Sequence, residues 1–114
     1  MENNNGTYCP ILKLSLTAGE DIPAFRFVSY SGMLCEGDNY PIGVSETDWN
    51  SGDTMSVVSL GTAIVKASGS LSAGTPVTTS TDGLAAAASS DDPIYGVSTG
   101  AVSASGFATI KLIV

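Results

Sequence analysis

The sequence predicts an all-β fold: a single compact, barrel-like domain built from two pseudo-repeated halves, with a short N-terminal arm. Three observations lead there. Segments rich in β-branched and aromatic residues recur every 8 to 15 residues, separated by Gly, Pro, Asn, Asp and Ser. No window of ten or more residues carries apolar positions at helical spacing. Three Gly-centred motifs return in order in the second half of the chain.

In chain order, the strands are expected at Ile11 to Leu16, Phe25 to Tyr30, Met33 to Cys35, Ile42 to Ser45, Thr54 to Leu60, Ala63 to Lys66, Pro76 to Thr79, Leu84 to Ala87, Ile94 to Ser98 and Phe107 to Ile113. Tyr30-Ser31-Gly32-Met33 and Thr81-Asp82-Gly83-Leu84 read as tight turns, because Ser-Gly and Asp-Gly supply the positive φ that hairpins need. The Leu84 to Ala88 run is alanine-rich, but five residues without an amphipathic face do not sustain a helix, so it reads as strand or loop.

The repeat appears when the chain is slid along itself by about fifty-four positions. Leu16-Thr17-Ala18-Gly19 falls on Leu71-Ser72-Ala73-Gly74, Pro41-Ile42-Gly43-Val44-Ser45 on Ile94-Tyr95-Gly96-Val97-Ser98, and Asn50-Ser51-Gly52 on Ala104-Ser105-Gly106. The matched glycines stand 55, 53 and 54 residues apart. The expected division is an arm over 1–8 and a domain over 9–114, with repeats at about 11–67 and 68–114. Neither half has enough strands to hide its own apolar face, so the two must share a core. Gly19, Gly52, Gly74 and Gly106 are expected at turn positions with φ > 0. Gly43 and Gly96, inside strands, are expected at a bulge or where another backbone comes close.

Composition narrows the function. Of 114 residues, 11 are acidic and 4 basic, a net charge of -7 that opposes binding to nucleic-acid phosphates. The absence of histidine removes Ser-His and Cys-His catalytic pairs and His-ligated zinc. Charged residues make up 13%, well below the usual quarter or so, while mean hydropathy is +0.25. A surface so poor in charge is expected to be partly covered by another subunit or a partner. Residues 1–7 lack the basic and apolar segments of a signal peptide, and no apolar run nears the ~20 residues of a membrane-spanning helix. Synthesis in the cytoplasm, with no membrane partner, is the expectation.

No constellation points to catalysis, a cofactor or a metal. Asp91-Asp92, Glu36, Asp38, Glu46 and Asp48 are acids among turn residues, where solvated loops are the ordinary reading; a paired-carboxylate hydrolase would draw on Asp91 and Asp92. Glu36-Gly37-Asp38-Asn39 lacks the alternating ligands of a calcium loop. Cys9 and Cys35 have no metal-ligand spacing and read as buried free thiols. Lys13, Lys66 and Lys111 fall on strands with no serine singled out beside them.

Partner binding is the more informative reading. Glu2, Asn3, Asn4, Asn5, Thr7 and Tyr8 lie outside the repeat, as a frayed terminus or as an arm ordered by a partner, with Tyr8 as its anchor. Trp49, in Thr47-Asp48-Trp49-Asn50, is either a core plug or an interface anchor. The equivalent loop of the second half, Gly100 to Ser103, has no bulky aromatic, so the shared core does not demand one.

The ordered set formed by Leu16-Thr17-Ala18-Gly19, Pro41 to Ser45, Gly52 to Val57, Gly61 to Ala67, Leu71 to Val77, Asp82-Gly83-Leu84-Ala85 and Tyr95-Gly96-Val97 resembles the small capsid cement, or head decoration, proteins of tailed bacteriophages over about residues 11–114. The resemblance implies a non-enzymatic β protein that binds the outside of the expanded head, commonly as a homotrimer clamping neighbouring major capsid subunits. No family catalytic residue exists to carry over. A different class stays open beside it: a carbohydrate-binding or adhesive β-module of a virion fibre or tail, with Trp49, Tyr40 and Tyr30 as a stacking platform.

Overall fold

The computed structural model describes residues 10–36, 40–89 and 91–112. Eight strands form one sheet: β1 (Pro10–Thr17), β2 (Phe27–Ser29), β3 (Pro41–Ser45), β4 (Thr54–Lys66), β5 (Pro76–Thr79), β6 (Ala85–Ala87), β7 (Gly96–Ser98) and β8 (Phe107–Leu112). They run in the order β2-β3-β4-β8-β7-β5-β6, with β1 added beside β4, and every strand pairing is antiparallel. A bridge between Ala67, just past β4, and Ala85, the first residue of β6, brings the sheet back on itself, so it is a nearly closed barrel.

Two expected strands are one. Thr54 to Lys66 is continuous, and Gly61 within it adopts φ +98°. That left-handed residue lets the strand turn without breaking and change partners: Thr54 to Gly61 pairs with β1, and Thr62 to Lys66 with β8. Met33 to Cys35 shrinks to a bridge between Leu34 and Val28, and Phe25, at φ +64°, stands outside β2. The Asp82-Gly83 turn is a short 3-10 turn with both residues at positive φ (58° and 72°).

The halves repeat at the level of backbone hydrogen bonds. Val44 and Ser45 pair with Val58 and Val57; Val97 and Ser98 pair with Lys111 and Ile110, each position 53 residues on. Upstream the offset is 49. Phe27 and Val28 face Val44 and Gly43, as Pro76 and Val77 face Val97 and Gly96. The Ala18 N–H donates to Asp53 O and the Ala67 N–H to Gly106 O, both at 2.8 Å. The Phe25 N–H donates to Ser45 O and the Gly74 N–H to Ser98 O, at 2.8 and 2.7 Å.

Two of the three sequence anchors therefore slip. Ala18 corresponds to Ala67, not Ala73, and Gly52 corresponds to Ser105, not Gly106. The physical reason is that the two halves keep backbone conformation while changing residue type. Phe25 and Gly74 share positive φ (64° and 81°), as do Gly52 and Ser105 (92° and 66°), so matching glycine to glycine shifts the register. Gly19 and Gly106 are not positive-φ residues. A Cβ on Gly19 would meet the flexible end of the exposed Met33 side chain, which can move aside, whereas one on Gly106 would lie 2.8 Å from Val102 and 3.0 Å from the Ser103 carbonyl, so packing selects glycine at 106. Gly43 and Gly96 sit where expected, against the carbonyls of Val58 and Lys111.

The larger core cluster draws on both halves, with Phe27, Val44 and Val58 meeting Val77, Tyr95 and Ile110. A smaller one, Ala18, Ile22, Val28, Met55 and Val57, lies beside β1 in the first half. β1 is the exception to burial: its residues from Ile11 to Ser15 are all exposed.

Candidate partner-binding surfaces

The first candidate surface surrounds Trp49. Its backbone exchanges two 2.8 Å hydrogen bonds with Ile22, and the half-buried indole packs on the smaller core cluster, with Nε1 buried and unpartnered. Leu71 and Val102 make the same exchange at 2.9 and 2.8 Å, so Val102 is the counterpart of Trp49. The tryptophan thus fills a position where the repeat needs only a valine, and the rest of the ring edges a shallow hollow with Asp21, Pro23, Asp48 and Asn50.

Carboxylates hold this corner. Asp48 accepts from the Ala24 N–H at 2.8 Å, Asp21 from the Ser51 N–H at 2.9 Å and Asp53 from the Asn50 N–H at 2.8 Å. Each satisfies a loop donor that no strand partner reaches. Aspartate therefore recurs here as turn chemistry, fixing the loop that carries Trp49.

A second surface is aromatic. Exposed Tyr30 and Tyr40 flank a cavity of about 140 Å³ whose floor is Phe27 and the largely buried Tyr95; Tyr40 meets Tyr95 edge-on at 5.2 Å. Burial chiefly pushes the Tyr95 hydroxyl pKa up, with Tyr40 and Cys35 adding to it. The Ser59 hydroxyl at the wall donates to Ile42 O at 2.7 Å, which leaves an apolar hollow rimmed by phenols. Sequence alone did not show that β2 and β3 bring Tyr30 and Tyr40 to one place. Trp49 lines the separate hollow, so the three aromatics do not make one platform.

The remaining candidates have structural settings. Cys35 is buried, and its thiol is pushed up to about 12, first by burial and then by Glu36. Asp92 accepts from the Ser89 N–H and hydroxyl at 3.0 and 2.9 Å, and those bonds, backbone first, hold its carboxyl below the usual range. Lys13 pairs with Glu46 at 2.8 Å. Among the described residues, no group of three His, Cys, Asp or Glu side chains converges as a metal site would require. Glu2, Asn3, Asn4, Asn5, Thr7, Tyr8 and Cys9 lie outside the described residues.

A family model for phage cement proteins matches residues 9–113, nearly the whole domain. The chain belongs to the phage cement protein family. Its fold is also that of a solved structure, the head fiber gp8.5 N base in bacteriophage phi29. The TM-score is 0.77 at 19% identity, and the match covers 90% of this chain and 93% of that one. No curated protein matches the sequence. The cement family and this barrel together make the chain a phage structural protein, and the family associates it with the capsid.

Proposed function

We propose that this cement protein binds the outer surface of the expanded phage head and stabilises contacts between major capsid subunits, as a non-enzymatic homo-oligomer, trimeric on the shell. The observation that carries the reading is the family match over residues 9–113. The physics agrees with it. A barrel whose halves share one core is stiff, and many copies with modest contacts across shell joints give strong collective attachment. The domain over 9–114 is the rigid body, and the arm over 1–8 orders against the partner, with Glu2, Asn3, Asn4, Asn5, Thr7 and Tyr8 making the contact and Trp49 a further anchor. Synthesis is in the host cytoplasm, and the site of action is the virion surface.

Sedimentation with purified expanded heads tests this: the protein should co-sediment saturably and raise the temperature at which heads rupture. Deleting residues 1–8 should weaken attachment while leaving the melting temperature of the free domain unchanged. Saturating protein with no co-sedimentation would end the proposal. A second reading, an adhesive module for carbohydrate, is favoured by the exposed Tyr30 and Tyr40 beside their cavity, since phenol faces stack on sugar rings. Glycan-array binding abolished by Tyr40→Ala would establish it, and a blank array would remove it.

A further inference from the structure

Phe25 is at odds with the fold around it. Its φ of +64° lies in the left-handed region, where Cβ crowds the backbone carbonyl and glycine alone settles without cost. Its counterpart in the second half is a glycine, Gly74 at φ +81°, whose N–H donates to Ser98 O as the Phe25 N–H does to Ser45 O. The barrel therefore needs no side chain at this position. Packing inside the domain does not offset the strain either: the Phe25 ring meets Phe107 edge-on with centroids 5.2 Å apart, but neither ring belongs to a core cluster, and Phe107 is 57% exposed. Phe107 is no more demanded by the repeat. Lys66 faces Phe107 across β4 and β8 as Thr17 faces Thr54 across β1 and β4, since Ala67 corresponds to Ala18. Where one half closes this rung with two threonines, the other sets a lysine beside a phenylalanine on one face. Lys66 makes no ion pair among the described residues, and neither β4 nor β8 carries a carboxylate. Asp48 borders the ring pair, with one carboxylate oxygen engaged by the Ala24 N–H.

We infer that Phe25, Phe107 and Lys66 form a contact with the major capsid subunit, and that the patch they meet presents an apolar side chain beside a carboxylate. The inference rests on the head-binding reading and adds to it the face of the barrel that meets the shell. A bulky residue held at positive φ on the surface is a cost that the free domain bears and that a partner offsets by covering the ring. The two rings supply an aromatic anchor of the kind that dominates interfaces once desolvated. Lys66 supplies the selectivity. On a chain of net charge -7 it is an unpaired cation next to that anchor, so a carboxylate is the group that complements it.

Co-sedimentation of the full chain with purified expanded heads gives the test. Phe25→Gly, which installs the counterpart residue, should raise the half-saturating concentration about tenfold or more, while the free protein melts within about 5 °C of wild type. Phe107→Thr, which removes the exposed ring and installs its own counterpart, should weaken binding as much and decides the matter should Phe25→Gly fail to fold. Lys66→Gln should weaken binding and flatten its decline with added salt. Each free variant should keep the wild-type mass at sedimentation equilibrium. Wild-type affinity in folded Phe25→Gly and Phe107→Thr would overturn the inference and leave head binding standing, as would a Lys66→Gln variant that responds to salt like the wild type. A lowered mass would make the rings a contact between copies and overturn it too. Wild-type protein that stays in the supernatant would end the head-binding reading, and this inference with it.

Discussion

Gly43 and Gly96 occupy equivalent places on β3 and β7, where the sheet leaves no room for a side chain, and replacing either with alanine gives a measurable test of the repeat. A Cβ on Gly43 would stand 2.5 Å from the carbonyl oxygen of Val58 and 3.1 Å from a Val57 methyl. On Gly96 it would strike the Ile110 methyl and lie 2.8 Å from the Lys111 oxygen. Ordinary contact begins near 3.4 Å, so at Gly43 strand and carbonyl must separate by most of an ångström, in a ladder whose hydrogen bonds fix both. Overpacking of this kind costs about 1–3 kcal/mol, which in a domain of this size lowers Tm by roughly 4–12 °C. Gly69→Ala is the control, because nothing lies within 4 Å of its Cβ position and its φ is not positive; its Tm should move by no more than about 2 °C. Thermal unfolding followed by circular dichroism reads all three. Melting of Gly43→Ala and Gly96→Ala at the control's temperature would refute the close-approach reasoning. A large loss in one and none in the other would refute the equivalence of the halves.

Further outcomes follow from the same geometry. Ser105 holds φ +66° where its counterpart is Gly52, so Ser105→Gly should stabilise by about 0.5 kcal/mol and Gly52→Ser should destabilise by about 1, read as opposite shifts of Tm. Trp49→Val, which installs the counterpart residue, should keep the fold at a loss of about 1–2 kcal/mol, whereas head binding should fall if the ring anchors a partner; equal affinity would restrict Trp49 to packing. Because the Cys35 thiol ionises near 12 in the fold and near 9.0 when exposed, the native state holds the extra proton between those values. Stability is complete below about pH 9 and falls as pH rises toward 12, and Cys35→Ala should flatten that part of the curve. At neutral pH Cys35 should react with thiol reagents only at the rate of unfolding, measured in the Cys9→Ser background.

Much of the barrel was legible because strand and turn chemistry are local. The period of β-branched residues located β1, β3, β5 and β8 to within a residue or two at each end, and Asp82-Gly83 marked its turn. What escaped was decided by contacts far apart in sequence. Gly61 looked like a break between strands, but a positive φ there bends β4 onto a new partner, and only the arrival of β8 reveals it. The repeat was visible, yet its register was not: Phe25 and Ser105 hold left-handed conformations that their residue types do not advertise. Ile11 to Leu16 read as a strand, and nothing in its alternation says that its residues from Ile11 to Ser15 all lie exposed. The meeting of Tyr30 and Tyr40 likewise depends on the pairing of β2 with β3.

The most direct measurement is the rupture temperature of purified expanded heads with and without saturating protein, with co-sedimentation recorded on the same samples. The account predicts saturable binding and a higher rupture temperature, both diminished by loss of residues 1–8. Heads that rupture at the same temperature and leave the protein in the supernatant would contradict it.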